Sequence, residues 1–177
     1  MRSREYKLTK DKYFRDHEYL ALVKKLEQRS VSQLRDTTLI FTALYTGARA
    51  SEILNIFAGD LDIHDKTVFI RGLKNSDDRE VPIPDWLFDR LLLLSKESKD
   101  GRIFPITYPR LDQIWTTFRT TPKKFHALRH TFAIRLYEKT KDIKLVQMCL
   151  GHRDFQNTLI YLNFAYKKSE MRRLMQV

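Results

Sequence analysis

Apolar side chains return with a period of about 3.6 residues through most of the chain, the spacing of one helix face. Leu34 to Tyr45 is the clearest case, with Leu34, Phe41, Leu44 and Tyr45 on one stripe and Thr37 and Thr38 alongside. It predicts a well-buried helix, broken by Thr46-Gly47, after which Arg49–Phe57 starts another with Ile53, Leu54 and Phe57 inward. Ahead of them, Leu8-Thr9-Lys10-Asp11 reads as a helix start with Thr9 as N-cap, for a helix carrying Tyr13, Phe14, Leu20, Leu22, Val23 and Leu26. The pattern then changes. Thr67-Val68-Phe69-Ile70 and Glu80-Val81-Pro82-Ile83 are short strand candidates, and the polar stretch Lys74 to Asp78 between them reads as a hairpin loop.

Helical spacing resumes at Trp86–Ser95, with Asp85 as cap, and at Arg110–Thr120, with Leu111, Ile114, Trp115 and Phe118 inward. His126–Tyr137 is periodic in Leu128, Phe132, Ala133 and Leu136. Ile143–Leu150 is shorter and ends at Gly151, where a left-handed residue closes a helix. Asn157–Phe164 and Ser169–Met175 complete the series. The expected class is mainly α with a small antiparallel β-sheet, an α+β domain in 177 residues. There is no internal repeat or low-complexity linker, so a single domain over residues 1–177 is the simplest organisation.

Charge adds a partner class. Lys and Arg number 33 against 22 Asp and Glu, a net +11 with a pI near 9.8. The excess is uneven, since residues 121–177 hold twelve basic against four acidic side chains, a net +8. Such an asymmetry favours a polyanion, nucleic acid before an anionic membrane surface. The lone Cys149 excludes an internal disulfide and a cysteine-cluster zinc site. The longest apolar runs, such as Leu91–Leu94, are too short to span a bilayer, and the charged start Met1–Lys7 lacks a signal-peptide core. A soluble, cytoplasmic protein is expected.

Four segments carry candidate chemistry. In His126-Ala127-Leu128-Arg129-His130 the two imidazoles and the guanidinium share a helix face, an arrangement suited to a phosphate. A zinc reading is weaker, because a cation sits between the two histidines and the zincin glutamate is missing. A solvated basic face is equally consistent. Arg49 follows the Gly47 break at a helix start, where backbone N–H groups also attract anions, though taken alone a surface pairing with Glu52 or Asp36 is the stronger reading. Leu150-Gly151-His152 precedes Tyr161 by a fixed step, and a tyrosine can be a covalent nucleophile when a base and a phosphate clamp activate it. Taken alone, Tyr161 reads as a core aromatic and Lys74 as an ordinary loop lysine.

Together these segments resemble the tyrosine recombinase (phage integrase) family in order and spacing, from about Leu8 to the C-terminus. Thr46 to Ile53 matches the family's Thr-Gly-x-Arg-x-Ser-Glu-Leu box at Arg49, with Ile53 for the last Leu. Arg79-Glu80-Val81-Pro82-Ile83 matches the end of its lysine-bearing hairpin and puts Lys74 at the expected place, although Gly72-Leu73-Lys74-Asn75 replaces the usual Gly-Lys-Gly. His126, Arg129 and His130 match its His-x-x-Arg-His box, His152 its Leu-Gly-His box, and Tyr161 its nucleophile.

The resemblance implies the family's catalytic-domain fold and an enzyme, a site-specific recombinase acting on double-stranded DNA in a prokaryotic nucleoid. It would need no metal, ATP or other cofactor. Arg49 and Arg129 would hold the scissile phosphate and Tyr161 attack it to leave a 3′-phosphotyrosine link. Lys74 would protonate the departing 5′-oxygen, His126 exchange the tyrosine proton, His152 donate to the phosphate, and His130 buttress. Integration, excision or inversion of a DNA segment would follow from assembly of dimers or tetramers on DNA, with the tail from about residue 165 to 177 packing on a neighbour. Relaxation like that of a type IB topoisomerase and an accessory DNA-binding role are the alternatives. Typical members carry a separate helical clamping domain before the catalytic one. With about forty-eight residues before Arg49, the chain is either an excised catalytic domain or a minimal protein without that domain, and the Met1 at the start favours the latter expectation.

Overall fold

The structure is a computed structural model that describes residues 8–73, 76–164, 166 and 168–176. Helices α1 (Asp16–Arg29), α2 (Leu34–Thr46) and α3 (Ala50–Ile53) precede a three-stranded antiparallel sheet. Its strands are β1 (Leu61–Asp62), β2 (Thr67–Ile70) and β3 (Arg79–Pro82). Then come α4 (Asp85–Glu97), α5 (Tyr108–Phe118), α6 (Ala127–Thr140), α7 (Ile143–Leu150), α8 (Gln156–Leu159) and α9 (Lys168–Met175), with 3₁₀ turns at Ala58–Asp60 and Leu162–Phe164. The mainly helical class with one small sheet is as the periodicities imply.

Helix α2 is the hub, packing against α1, α3, α4 and α6. It is buried although threonine-rich, because the hydroxyls of Thr37, Thr42 and Thr46 bond to carbonyls of the preceding turn, while Thr38 Oγ1 has no partner among the described residues. Thr42 and Thr46 donate to the carbonyls of Thr38 and Thr42, at 2.8 and 2.6 Å. Gly47 closes it with φ +63°, and a Cβ there would stand 2.4 Å from the Phe132 ring, so both conformation and space demand glycine.

Two apolar clusters meet along α6. Ala127 and Leu128 belong to the large cluster with α2, α4, α5 and the sheet, whereas Ala133, Ile134 and Tyr137 belong to a smaller one with Val146, Leu150 and Tyr161. Arg129 and His130 lie at the seam.

Several elements are shorter or later than their periodicity suggests. Helix α1 begins at Asp16 rather than after Thr9, because the Phe14 N–H goes to Thr131 Oγ1 and the Arg15 N–H to the Glu18 carboxylate. Helix α3 stops at Ile53, since the backbones of Ile56 and Phe57 pair with Ile103 and Arg102 instead. Pro84 is the N-cap of α4, with Asp85 its first residue, and Thr107 caps α5. The expected Asn157–Phe164 helix divides into α8 and a 3₁₀ turn, leaving Tyr161 in the break. Helix α9 begins at Lys168, so Ser169 lies in its first turn instead of capping it. Among the described residues, no helix is long and apolar enough to cross a membrane.

Candidate active site

The first turn of α6 supplies three side chains. His126 is its N-cap, and Arg129 and His130 follow on the same face, with the two imidazole rings edge to face at 4.8 Å. Arg129 is only 2% exposed. Its Nη1 donates to the Gly47 carbonyl at 2.7 Å and its Nη2 to the Leu150 carbonyl at 2.8 Å. Those carbonyls close α2 and α7, whose C-terminal ends carry partial negative charge and suit a cation. Two of five donors thus lock the guanidinium between two helix ends, which fixes the direction of the rest.

Arg49, N-cap of α3, converges on the same place through Glu52. The Arg49 N–H and Nη1 donate to the Glu52 carboxylate at 2.8 and 3.0 Å. The pairing weighed from sequence is therefore real, but Glu52 is buried rather than on a surface. Arg79 donates Nη2 to the same carboxylate at 2.7 Å, and Arg129 Nη1 stands 3.8 Å from it. Three guanidinium groups share one carboxylate, so the pocket is short of negative charge and fitted for an anion.

His152 follows the left-handed Gly151 that ends α7, and its Nδ1 is 2.9 Å from Thr158 Oγ1. The second arm of the β2–β3 hairpin is fastened to this turn. Asp77 N–H and Ser76 Oγ donate to the Gly151 carbonyl at 2.9 and 3.0 Å, and Arg79 Nε donates to the Cys149 carbonyl at 2.7 Å. A Cβ at Gly151 would lie 2.6 Å from the Asp77 carbonyl oxygen, so glycine is what permits this approach. Lys74 and Asn75 lie outside the described residues.

Tyr161 is 1% exposed, inside the smaller apolar cluster. Its hydroxyl is 2.9 Å from His130 Nδ1. His130 thus meets the hydroxyl of the candidate nucleophile directly.

Burial dominates the histidines. It pushes His126 down to about 4, helped by Arg129 and Arg49, and His152 down to about 3, helped by Arg129, Arg49 and Arg79. The same groups thus act on both rings, which places Arg49, His126, Arg129 and His152 in one electrostatic neighbourhood. For Glu52, burial alone would raise the carboxyl, but hydrogen bonding and charge from Arg79, then Arg49 and Arg129, hold it below its usual range. Beside the cluster, a cavity of about 720 Å³ is walled by His126 and His130, by Lys10, Lys12, Arg15 and Lys124, and by the acidic Asp11 and Glu18. Lys10, Lys12 and Arg15, ahead of α1, therefore add basic groups to a face that sequence charge assigned to the last third. Among the described residues, no group of His, Cys, Asp and Glu side chains could hold a metal.

Glu52 and Arg79 went unassigned in the sequence reading, though each leaves a trace. Glu52 stands three residues after Arg49, the capping-box spacing at a helix start. Arg79 falls on the inward register of β3 with Val81, where a charge demands a partner.

Comparison with known proteins bears on the same segments. A profile of the phage integrase family matches residues 12–168. Tyrosine recombinase XerA of Thermococcus onnurineus is 32% identical over 141 residues, covering 70% of this chain and 49% of that protein. The crystal structure of XerH recombinase bound to its difH substrate before cleavage superposes with a TM-score of 0.72 at 23% identity, over 97% of this chain and 55% of that one. The catalytic domain of bacteriophage HP1 integrase gives 0.67 at 24% identity, over 92% and 93%. The chain spans about half the length of the curated relatives it matches.

Proposed function

This chain belongs to the phage integrase family, and we propose that it is the catalytic domain of a tyrosine-type site-specific recombinase. In this reading it cuts and rejoins double-stranded DNA through a 3′-phosphotyrosine link. The observation that carries the reading is the grouping of Arg49 and Arg129 about the Glu52 carboxylate, with their charges acting on His126 and His152 and with Tyr161 attached to α6 through His130. XerH, a relative in fold, is recorded on a DNA substrate.

The chemistry follows from charge. The scissile phosphate sits between Arg49 and Arg129, whose guanidinium groups offset the additional negative charge of the transition state. Tyr161 Oη gives up its proton to neutral His126 and bonds to phosphorus as the P–O5′ bond breaks. His152 Nδ1 is taken up by Thr158 Oγ1, which leaves Nε2 free of that contact, and with Thr158 donating to Nδ1 the Nε2–H donates to a non-bridging oxygen. His126, neutral in the empty site, takes up positive charge more readily once a phosphate is bound beside it. Lys74 protonates the leaving 5′-oxygen, an assignment resting on its sequence spacing from Arg79. The phosphodiester energy stays in the P–O–Tyr bond, so religation needs no nucleotide or metal. Assembly on DNA uses α9, whose Met171, Leu174 and Met175 are exposed.

The test is covalent capture from a pool of nicked duplexes with randomised sequence around the nick. The wild-type chain is expected to form a denaturant-resistant protein–DNA band, which Tyr161→Phe abolishes while retaining DNA binding. Capture by the Tyr161→Phe variant would overturn the assignment, and relaxation of supercoiled DNA without recombinants would favour the topoisomerase alternative.

A further inference from the structure

We propose that His130 is a positioning residue for the nucleophile, accepting the Tyr161 phenolic hydrogen through Nδ1 and fixing where Oη stands before attack. The inference rests on Tyr161 being the nucleophile. Tyr161 lies in the break between α8 and the Leu162–Phe164 turn, held by the short-range bonds Tyr161 N–H to Thr158 O and Phe164 N–H to Tyr161 O. Those bonds set the backbone, the smaller apolar cluster packs the ring, and the hydroxyl contact adds the directional tie at Oη. That hydroxyl meets His130 Nδ1 at 2.9 Å in a buried setting, where losing a hydrogen-bond partner is costly.

The placement has a geometric consequence. His130 is the next residue after Arg129 on one regular helix, so the anchor of the attacking oxygen and the clamp of the phosphate are set by the same rigid element. A shift of Oη relative to phosphorus then requires distortion of α6 itself. His126 meets the His130 ring edge to face at 4.8 Å, so the two imidazoles are direct neighbours on one turn.

The state of the ring agrees. Burial first, then His126, Arg129, Lys12 and His152, push His130 down to about 3, so the imidazole is neutral near pH 7 and one ring nitrogen accepts. With Nδ1 accepting from Tyr161, Nε2 carries the ring hydrogen.

The experiment compares His130→Leu with His130→Gln in single-turnover capture of a nicked duplex recovered with the wild-type chain, after thermal melts confirm folding. Leu removes the acceptor, whereas the Gln amide oxygen restores one without being able to take up a proton. His130→Leu should lower the maximal capture rate by roughly ten- to a hundredfold, as a misplaced reacting atom does. The half-saturating DNA concentration should stay unchanged, and His130→Gln should recover most of the rate. Wild-type or faster capture by His130→Leu overturns the proposal, the latter making the bond a brake. A folded His130→Gln as slow as His130→Leu also overturns it, since the ring would then act by more than accepting. If the Leu variant melts below the assay temperature, His130→Asn, whose shorter amide falls short of Oη, replaces it in the comparison. Capture by Tyr161→Phe would remove the nucleophile reading itself. Loss of capture in Tyr161→Phe with normal capture in His130→Leu would remove only this inference.

Discussion

Arg79 Nη2 and Glu52 Oε2 lie 2.7 Å apart, joining the first residue of β3 to α3 across the floor of the site. The bond ties the hairpin to the carboxylate that also orients Arg49. Because Arg79 Nε simultaneously holds the Cys149 carbonyl, one side chain links the sheet, α3 and the end of α7.

Glu52→Gln therefore tests the pocket as a unit. It keeps shape and removes the charge shared by Arg49, Arg79 and Arg129. Breaking one side of a buried pair typically costs about 3–5 kcal/mol, so the urea midpoint should fall clearly. Covalent capture should fall further than DNA affinity, since orientation of Arg49 is lost while attraction for phosphate is not. An unchanged midpoint would mean that the arginines are balanced by something other than Glu52.

A second buried pair lies away from the chemistry and still affects it. Lys123 Nζ is 2.6 Å from Glu18 Oε2, fastening α1 to the segment that leads into His126. Burial alone would raise Glu18, but hydrogen bonds from Arg15 and Lys123 hold it at about 2. Lys123→Met alone should destabilise by about 3 kcal/mol, while Lys123→Met with Glu18→Leu should recover much of that, because no uncompensated charge remains buried. Chemical denaturation of the two singles and the double gives the coupling; additive losses would show that the pair is not an energetic unit.

How far the sequence reaches is clear from particular residues. Gly47 and Gly151 marked their helix ends correctly because a left-handed C-cap is a local demand that only the next turn decides. Arg49, Arg129, His152 and Tyr161 could be singled out by type and spacing, yet the contact between His130 and Tyr161 joins residues thirty-one apart and has no local signature. The start of α1 was misplaced for the same reason. Its position is set by Thr131 Oγ1, which takes the Phe14 N–H from across the chain.

Acid should destabilise this chain progressively, the histidines first and Glu18 joining them at lower pH. His126, His130 and His152 have folded values of about 4, 3 and 3, all below their usual 6.5. A depressed histidine contributes stability that is complete above the unfolded value and lost as pH falls, because the unfolded chain then binds protons that the folded one refuses. Thermal midpoints should therefore start to drop below about pH 6.5 and keep dropping until the folded values of about 4 to 3 are passed. Glu18, held at about 2 against 4.5, adds a loss below about pH 4.5 that overlaps the histidine one. His130→Gln should flatten the part of the drop above about pH 4.5. Bound DNA should flatten it too, since a phosphate beside Arg49 and Arg129 favours protonated His126 and His152. A midpoint constant from pH 7 to 5 would contradict three buried neutral imidazoles.

The tail offers the clearest separation of binding from assembly. Helix α9 spans Lys168–Met175, too short to persist alone in water. Among the described residues, Lys141 Nζ reaches Glu170 at 3.2 Å and lies over the Tyr166 ring, an exposed attachment of the kind worth about 1 kcal/mol or less. Meanwhile Met171, Leu174 and Met175, at i, i+3 and i+4, stay exposed on one stripe. Packing that stripe on a second copy would bury it and hold α9 in its helical form. Deleting residues 165–177 should accordingly leave binding of a single-site duplex nearly intact, with cooperative occupancy of a two-site duplex reduced, both read in one gel-shift titration. Met171→Ser with Leu174→Ser should reproduce the loss without shortening the chain. If the shortened chain fills two sites as cooperatively as the full one, the stripe is not the assembly contact and α9 serves its own domain.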